Sequence, residues 1–182
     1  MWTGDAEASR QSAIVGPDIR LLQRKHEGEL CRLLLGLDAP ARCGRFGQAA
    51  SDAYLTSHAR TALANADCVL GGFIGERLRG VAEVYNDGPN GFAEAAFVVE
   101  QEWRRRGLGW ALLRAAMRAA SDCRTNKLRL IFSRHNWPMR KLASKASGKL
   151  DIVLDEISVD VDLDEGNRSS WADATRFKIG VD

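Results

Sequence analysis

FAEAAFVVEQEWRRRGLGWALL, residues 92–113, decides the fold. It opens as an apolar strand and closes as the start of a helix rich in Ala and Leu. Between them lie three consecutive arginines and two glycines. The turn Arg104-Arg105-Arg106-Gly107-Leu108-Gly109 admits three readings: a basic helix cap, a nucleic-acid contact or a phosphate cradle. A helix start leaves its first backbone N–H groups without internal partners, and the helix dipole adds partial positive charge there. Glycines let successive N–H groups converge on one anion and remove side chains that would block its approach. Arginines add attraction and reach phosphate oxygens bidentately. A pyrophosphate is the natural guest of such a turn. The nucleoside triphosphate loop G-x-x-x-x-G-K-[ST] is absent. So is G-x-G-x-x-G, because Leu112 stands where the third glycine belongs.

Composition narrows the choice. The chain has 182 residues with 26 Lys+Arg against 24 Asp+Glu, a net charge of only +2. A dedicated nucleic-acid binder carries a strongly basic footprint, so this balance argues against one. No apolar stretch approaches the roughly 20 residues that cross a bilayer, and the opening MWTGDAEASRQSAIVG lacks the pattern of a secretory signal. Cys31, Cys43, Cys68 and Cys123 are far apart and form no C-x-x-C pair. Reduced thiols in a cytoplasm are therefore expected, with no metal.

Working outward, Ile19–Leu22 reads as a first strand and Glu27–Leu37 as a helix. LDAPARCGRFGQAA, residues 37–50, reads as a loop. Ser51 caps a helix to Asn65 with Tyr54, Leu55, His58 and Ala62 on one face. CVLGGFIGERLRGVAEVY forms a hairpin turning at Gly75-Glu76, and NDGPNG, residues 86–91, is a turn. After FAEAAFVVE comes the clearest helix, GLGWALLRAAMRAASD, with Arg114 and Arg118 as a polar stripe. KLRLIFSR alternates as a strand, and Pro138 opens a helix running to about Ser147. LDIVLDEISVDVDL supplies two short strands. These elements predict an α/β fold of the α+β type in one domain over residues 17–165, with a flexible arm at 1–16 and a tail at 166–182.

Arg104-x-x-Gly107-x-Gly109 resembles the acyl-coenzyme A loop of the GNAT acetyltransferase superfamily, [QR]-x-x-G-x-[GA]. Downstream, Asn136, Met139 and Leu142 match that family's Asn-x-x-[AM]-x-x-[LF]-Tyr-x-x-x-Gly-Phe segment. Ala143 replaces the tyrosine, and Gly148 comes one residue late. The resemblance runs from Phe92 to about Leu150, and more weakly back to Ile19. It implies a central mixed, mostly antiparallel sheet with a parallel splayed pair, flanked by helices. It also implies acetyl-CoA as co-substrate, with no metal. Backbone groups of Phe97, Val98 and Val99 would bind the pantetheine arm. The loop Arg104, Arg105, Arg106, Gly107, Leu108, Gly109 and Trp110 would hold the pyrophosphate, with Asn136 on the cofactor side.

The implied activity is N-acetyl transfer from acetyl-CoA to a primary amine by direct attack in a ternary complex. A backbone N–H near Val98 or Val99 would steady the oxyanion. Glu94, in an A-E-x-A strand similar to that of bacterial protein-lysine acetyltransferase-like domains, is the candidate general base, expected in a mostly apolar neighbourhood that raises its pKa. The other reading of Glu94 is an edge carboxylate pointing at water. With Ala143 unable to donate a proton, Tyr85, Ser144 and His135 are the stand-ins. His58 reads as a packed histidine. Arg42-x-x-Arg45-Phe46 resembles an R-x-x-R-F segment of related bacterial domains, or is a charged loop anchored by Phe46. The alternative function is a non-catalytic acyl-CoA-binding or regulatory domain. The acceptor is a small molecule or a protein lysine. No nucleic-acid or membrane partner is expected, and a homodimer is compatible with the family.

Overall fold

The computed structural model describes residues 17–87, 91–146, 149–153 and 156–163. The arm, the tail, the middle of the 86–91 turn and the Ser147-Gly148 pair lie outside the described residues. The elements in order are β1 (Asp18–Leu21), α1 (Glu27–Leu35), α2 (Ala39–Phe46), α3 (Asp52–Asn65), β2 (Cys68–Ile74), β3 (Arg77–Asn86), β4 (Phe92–Val99), α4 (Leu108–Asp122), β5 (Lys127–Ser133), α5 (Trp137–Lys145), β6 (Lys149–Val153) and β7 (Glu156–Asp162). Single 3-10 turns precede α1 (Arg24–His26) and follow β4 (Gln101–Trp103).

One correction concerns residues 37–50, where a helix stands in place of the expected loop. Asp38 caps α2 by accepting from the Ala41 N–H at 2.8 Å, Pro40 sits in the first turn, and Gly47 ends the helix at φ +69°. Pro needs no N–H in a first helical turn, and glycine tolerates a left-handed stop. The Ser51 cap of α3 is found as expected, accepting from the Tyr54 N–H at 3.2 Å.

Seven strands form one sheet in the order β1-β2-β3-β4-β5-β7-β6. Every neighbouring pair is antiparallel except β4 and β5, which run parallel. Strand alternation sends Ala93, Ala95, Leu128, Leu130, Val159 and Val161 to the face covered by α4, with Ala143 of α5 and Ala146 at its C-cap in the same core. Val69, Phe73, Val81 and Val98 face the other way and pack with Leu30, Leu33 and Leu34 of α1 and Leu55 and Ala59 of α3. Each fully buried leucine contributes roughly 1.5–3 kcal/mol.

A second correction concerns α4. Arg114 does not share an exposed stripe with Arg118: it is buried inside the enclosed run Ala111–Met117, and burial lowers its pKa. Arg118, one turn later, is exposed and lies 3.6 Å from Asp122.

Candidate active site

The centre of the sheet is forked. β4 pairs with β3 in continuous register from Asn86↔Ala93 to Gly80↔Val99. On its other edge it meets β5 only at Phe92↔Lys127, Ala93↔Leu128 and Glu94↔Arg129. Beyond Glu94 the two strands part. Residues 95–99 keep β3 on one edge. The Glu100 N–H bonds to the Arg79 carbonyl and the Asp87 N–H to that of Phe92, so the alternation commits the backbones of Ala96 and Val98 to β3. That corrects the expected Val98 contact and leaves the backbones of Ala95, Phe97 and Val99 facing a gap on the other edge. From Glu94 to Val99 the gap runs five residues, roughly 17 Å at about 3.4 Å per residue.

The arginine–glycine turn stands at the open end. Arg105 at φ +59° and Gly107 at φ +88° both take the left-handed conformation, which curls the chain into α4. No side chain caps α4, and its first turn carries no acidic residue. Its first intrahelical bond joins Ala111 N–H to the Gly107 carbonyl at 3.0 Å, so the N–H groups of Leu108, Gly109 and Trp110 precede the helical ladder. A Cβ built on Gly107 would meet nothing within 4 Å, so the space before the turn is open. The Leu108 side chain is buried in the core, which leaves only its backbone for a ligand.

The arginines have structural tasks in this geometry. The Arg104 Nε donates to the Val99 carbonyl at 3.0 Å, and its Nη2 lies 3.6 Å from Asp38 of α2. Arg106 and Arg79 both stack on Trp103, at 5.2 and 5.3 Å. Glu100, closing β4, accepts from Arg32 at 2.9 Å and Arg79 at 2.7 Å. Burial pushes its carboxyl up, but the two guanidiniums outweigh that and hold it below the ordinary value.

On the α5 side, Asn136 caps that helix by accepting from the Met139 N–H at 3.2 Å. A Cβ on Gly44 of α2 would lie 3.6 Å from its amide nitrogen. His135 is exposed and follows the end of β5, up to about 20 Å along the strand from the fork. Ser144 is exposed, and Ala143 is buried in the core.

Glu94 sits at the vertex of the fork, and its surroundings correct an expectation. The carboxylate is exposed and lies between two polar side chains in register, Tyr85 on β3 and Arg129 on β5. Arg129 makes a bidentate pair with Asp160, at 2.8 and 3.0 Å, and its guanidinium lies 4.0 Å from the centre of the Phe92 ring. The apolar neighbourhood expected for Glu94 is absent, because β5 and β7 bring a charged pair to this face.

Next to the fork lies a cluster that sequence reading passes over. Glu83 of β3 is fully buried. Its carboxylate accepts from Arg45 of α2 at 2.5 Å and from the Tyr85 hydroxyl at 3.2 Å, and both oxygens lie 3.1 Å from His58 Nε2 on α3. Burial pushes this carboxyl up, but the His58 hydrogen bond, the Arg45 charge and the Tyr85 hydroxyl together hold it below its ordinary value. Glu83 is therefore a carboxylate, and His58 Nε2 carries the hydrogen towards it. Burial first, then the Glu83 charge and hydrogen bond, push the Tyr85 phenol well above its ordinary value. Phe46 stands edge-on to both Tyr54 and His58, at 5.5 and 5.0 Å, completing an aromatic wall. His58 is thus packed, as expected, and also bonded to a buried charge. The signal for Glu83 was a lone acid inside the apolar run GVAEVY.

Among the described residues no group of His, Cys, Asp and Glu side chains could hold a metal ion, and no helix is long and apolar enough to cross a membrane.

The GNAT domain of PAT from S. lividans aligns with a TM-score of 0.69 at 17% identity, over 79% of this chain and 89% of that one. The Salmonella typhimurium protein yncA, solved with acetyl-CoA, aligns at 0.64 and 13% identity, over 82% and 95%. The PaiA N-acetyltransferase of Thermoplasma acidophilum, solved with coenzyme A, aligns at 0.62 and 16% identity, over 81% and 99%. No curated protein matches the chain in sequence. The model of the acetyltransferase (GNAT) family matches residues 37–148, which takes in α2, the fork, the arginine–glycine turn and α5. That stretch is more than half of the chain, and the chain belongs to the GNAT acetyltransferase family.

Proposed function

We propose that the protein moves an acetyl group from acetyl-CoA to a primary amine, with both substrates bound together. The observation that carries this reading is the fork: an open β4 edge that ends at an uncapped, glycine-led helix start. The two features lie in line. An extended thioester arm bonded to the gap-edge backbone of Phe97 and Val99 would put its diphosphate at Gly107–Trp110 and its acyl end towards Glu94. Asn136 flanks the arm from α5. The backbone N–H of Val99, on the gap edge, supports the tetrahedral oxyanion, since that of Val98 is turned to β3.

Glu94 takes the proton of the bound ammonium and, being exposed, returns it to water. Much of the acceleration comes from holding amine and thioester in one geometry. Tyr85 and His135 are poor donors to the departing thiolate: the phenol is pushed up and already donates to Glu83, and His135 stands at the wrong end of the gap. Water protonates the thiolate in this scheme and takes up the second nitrogen proton as the tetrahedral intermediate collapses.

The second reading, an acyl-CoA-binding domain without catalysis, is favoured by one observation: Ala143 is buried and has no proton to give. An acetyl-CoA turnover screen over small amines and lysine peptides separates the two, with Glu94→Gln as control. Turnover that falls at least tenfold in that variant is expected. Turnover unchanged in rate and pH profile removes Glu94 as base, and a melting temperature unmoved by millimolar acetyl-CoA removes the cofactor.

A further inference from the structure

Tyr85 stands directly across from Glu94 on the neighbouring strand, so the two side chains share a face of the sheet. Its bond to Glu83 lays the ring along β3 towards residue 83, whose partner on β4 is Ala96. The phenol oxygen is thereby carried past the vertex, over the half of β4 that borders the gap. Ala96 is small and only half-buried, which leaves room above it.

The hydroxyl hydrogen is committed to a carboxylate that Arg45 and His58 hold from two further helices. A hydroxyl has one donor and two acceptor lone pairs. Donation into a carboxylate leaves the oxygen richer in electron density and a stronger acceptor, the cooperative effect of linked hydrogen bonds. Arg45, Glu83 and His58 make Tyr85 a fixed acceptor beside an exposed carboxylate. Two acceptors of that kind suit an –NH3+ group, with its three N–H donors.

We propose that Tyr85 and Glu94 form the ammonium subsite of the acceptor, Tyr85 accepting one N–H while Glu94 accepts another, with Glu83 as the residue that positions Tyr85. The inference rests on the acetyl-transfer reading and gives its acceptor a class: an unhindered primary ammonium on an apolar chain, with the Phe46–Tyr54–His58 wall beside it. A quaternary ammonium of equal charge has no N–H to offer and is rejected.

The chain has two tyrosines, Tyr54 and Tyr85. Tyr54→Phe with ring-labelled tyrosine therefore gives one phenol carbon signal in an NMR spectrum. In that protein loaded with coenzyme A, n-butylammonium is expected to shift the Tyr85 signal to saturation, and n-butyltrimethylammonium is not. Tyr85→Phe keeps the ring and removes only the oxygen. It should weaken n-butylammonium roughly tenfold or more, as expected for a charge-assisted hydrogen bond, with coenzyme A affinity unchanged. Glu83→Gln should blunt the Tyr85 response, and the Tyr85→Phe result stands by itself if Glu83→Gln does not fold. An unmoved phenol signal, an equal response to both cations, or n-butylammonium affinity untouched by Tyr85→Phe overturns the subsite and leaves the cofactor reading intact. Failure of coenzyme A to bind overturns both.

Discussion

Gly107 shows how much one absent side chain can decide. At φ +88° any other residue is strained by roughly 1–3 kcal/mol, most for a β-branched one, yet its Cβ would meet no protein atom within 4 Å. A leucine there, unbranched at Cβ, fills the space in front of the α4 amides. Gly107→Leu is therefore expected to lower the melting temperature of the free protein and to abolish the rise given by acetyl-CoA. Gly109→Ala should retain that rise, because its Cβ lies at ordinary contact distance, 3.9 Å from Leu142 and 4.0 Å from Val99. Paired melting curves with and without the thioester decide between them. These glycines were legible in the sequence because their role is local: a left-handed turn and a helix start are written in adjacent residues. Glu83 was not legible in the same way. Alternation along β3 says only which face it takes, and Arg45 and His58, which make that face a buried polar site, arrive from α2 and α3.

Among the elements, α2 is the one that sequence reading passed over, and it borders every part of the site. Its cap Asp38 faces Arg104 at the arginine–glycine turn, Gly44 abuts Asn136, and Arg45 holds Glu83. The eight-residue helix was hidden by its composition of Ala, Pro, Arg, Cys and Gly, in which no large aliphatic side chain marks a core face and no residue is fully buried. Its ends were visible, with Asp38-Ala39-Pro40 as a start and Gly47 as a stop. Asparagine caps a helix about as well as aspartate. Asp38→Asn should therefore leave α2 formed and release Arg104 from its anionic partner. That pair is about two-thirds buried and worth about 1 kcal/mol at most. Acetyl-CoA affinity is expected to rise by up to about fivefold as Arg104 turns to phosphate; calorimetric titration measures it, and weaker binding would mean that Arg104 serves the loop from where it now sits.

For the molecule as a whole, the described carboxylates with depressed pKa values tie separate elements together. Glu83 joins β3 to α2 and α3, Glu100 joins β4 to α1, and Asp160 joins β7 to β5. Burial raises Glu83 and Glu100, but their hydrogen-bond donors win. For Asp160 the Arg129 hydrogen bond is the leading cause. All three therefore titrate lower when folded than when unfolded, and the unfolded chain takes up protons first as pH falls. Their stabilisation is complete above the ordinary values of 4.5 for Glu and 3.8 for Asp, and is lost as pH drops through the depressed native values. Urea midpoints should hold from pH 7 down to about pH 5.5 and then fall steeply. In Glu83→Gln the midpoint is lower at pH 7, and the fall is shallower. A wild-type midpoint that stays level to pH 3.5 would mean these pairs do not set acid stability.

The three-residue contact between β4 and β5 also bears on how the chain is assembled. The β1–β4 leaf is antiparallel throughout, with β2 and β3 joined by the short 74–77 turn, and it precedes β5 in synthesis. The β5–β7 leaf must be brought back through the α4 crossover and fastened along three rungs only. Parallel pairing across a crossover is a non-local and slow kind of closure. A ligand bonded along the gap edge would lengthen the seam between the leaves, so the β5–β7 leaf is where bound thioester should slow amide exchange most.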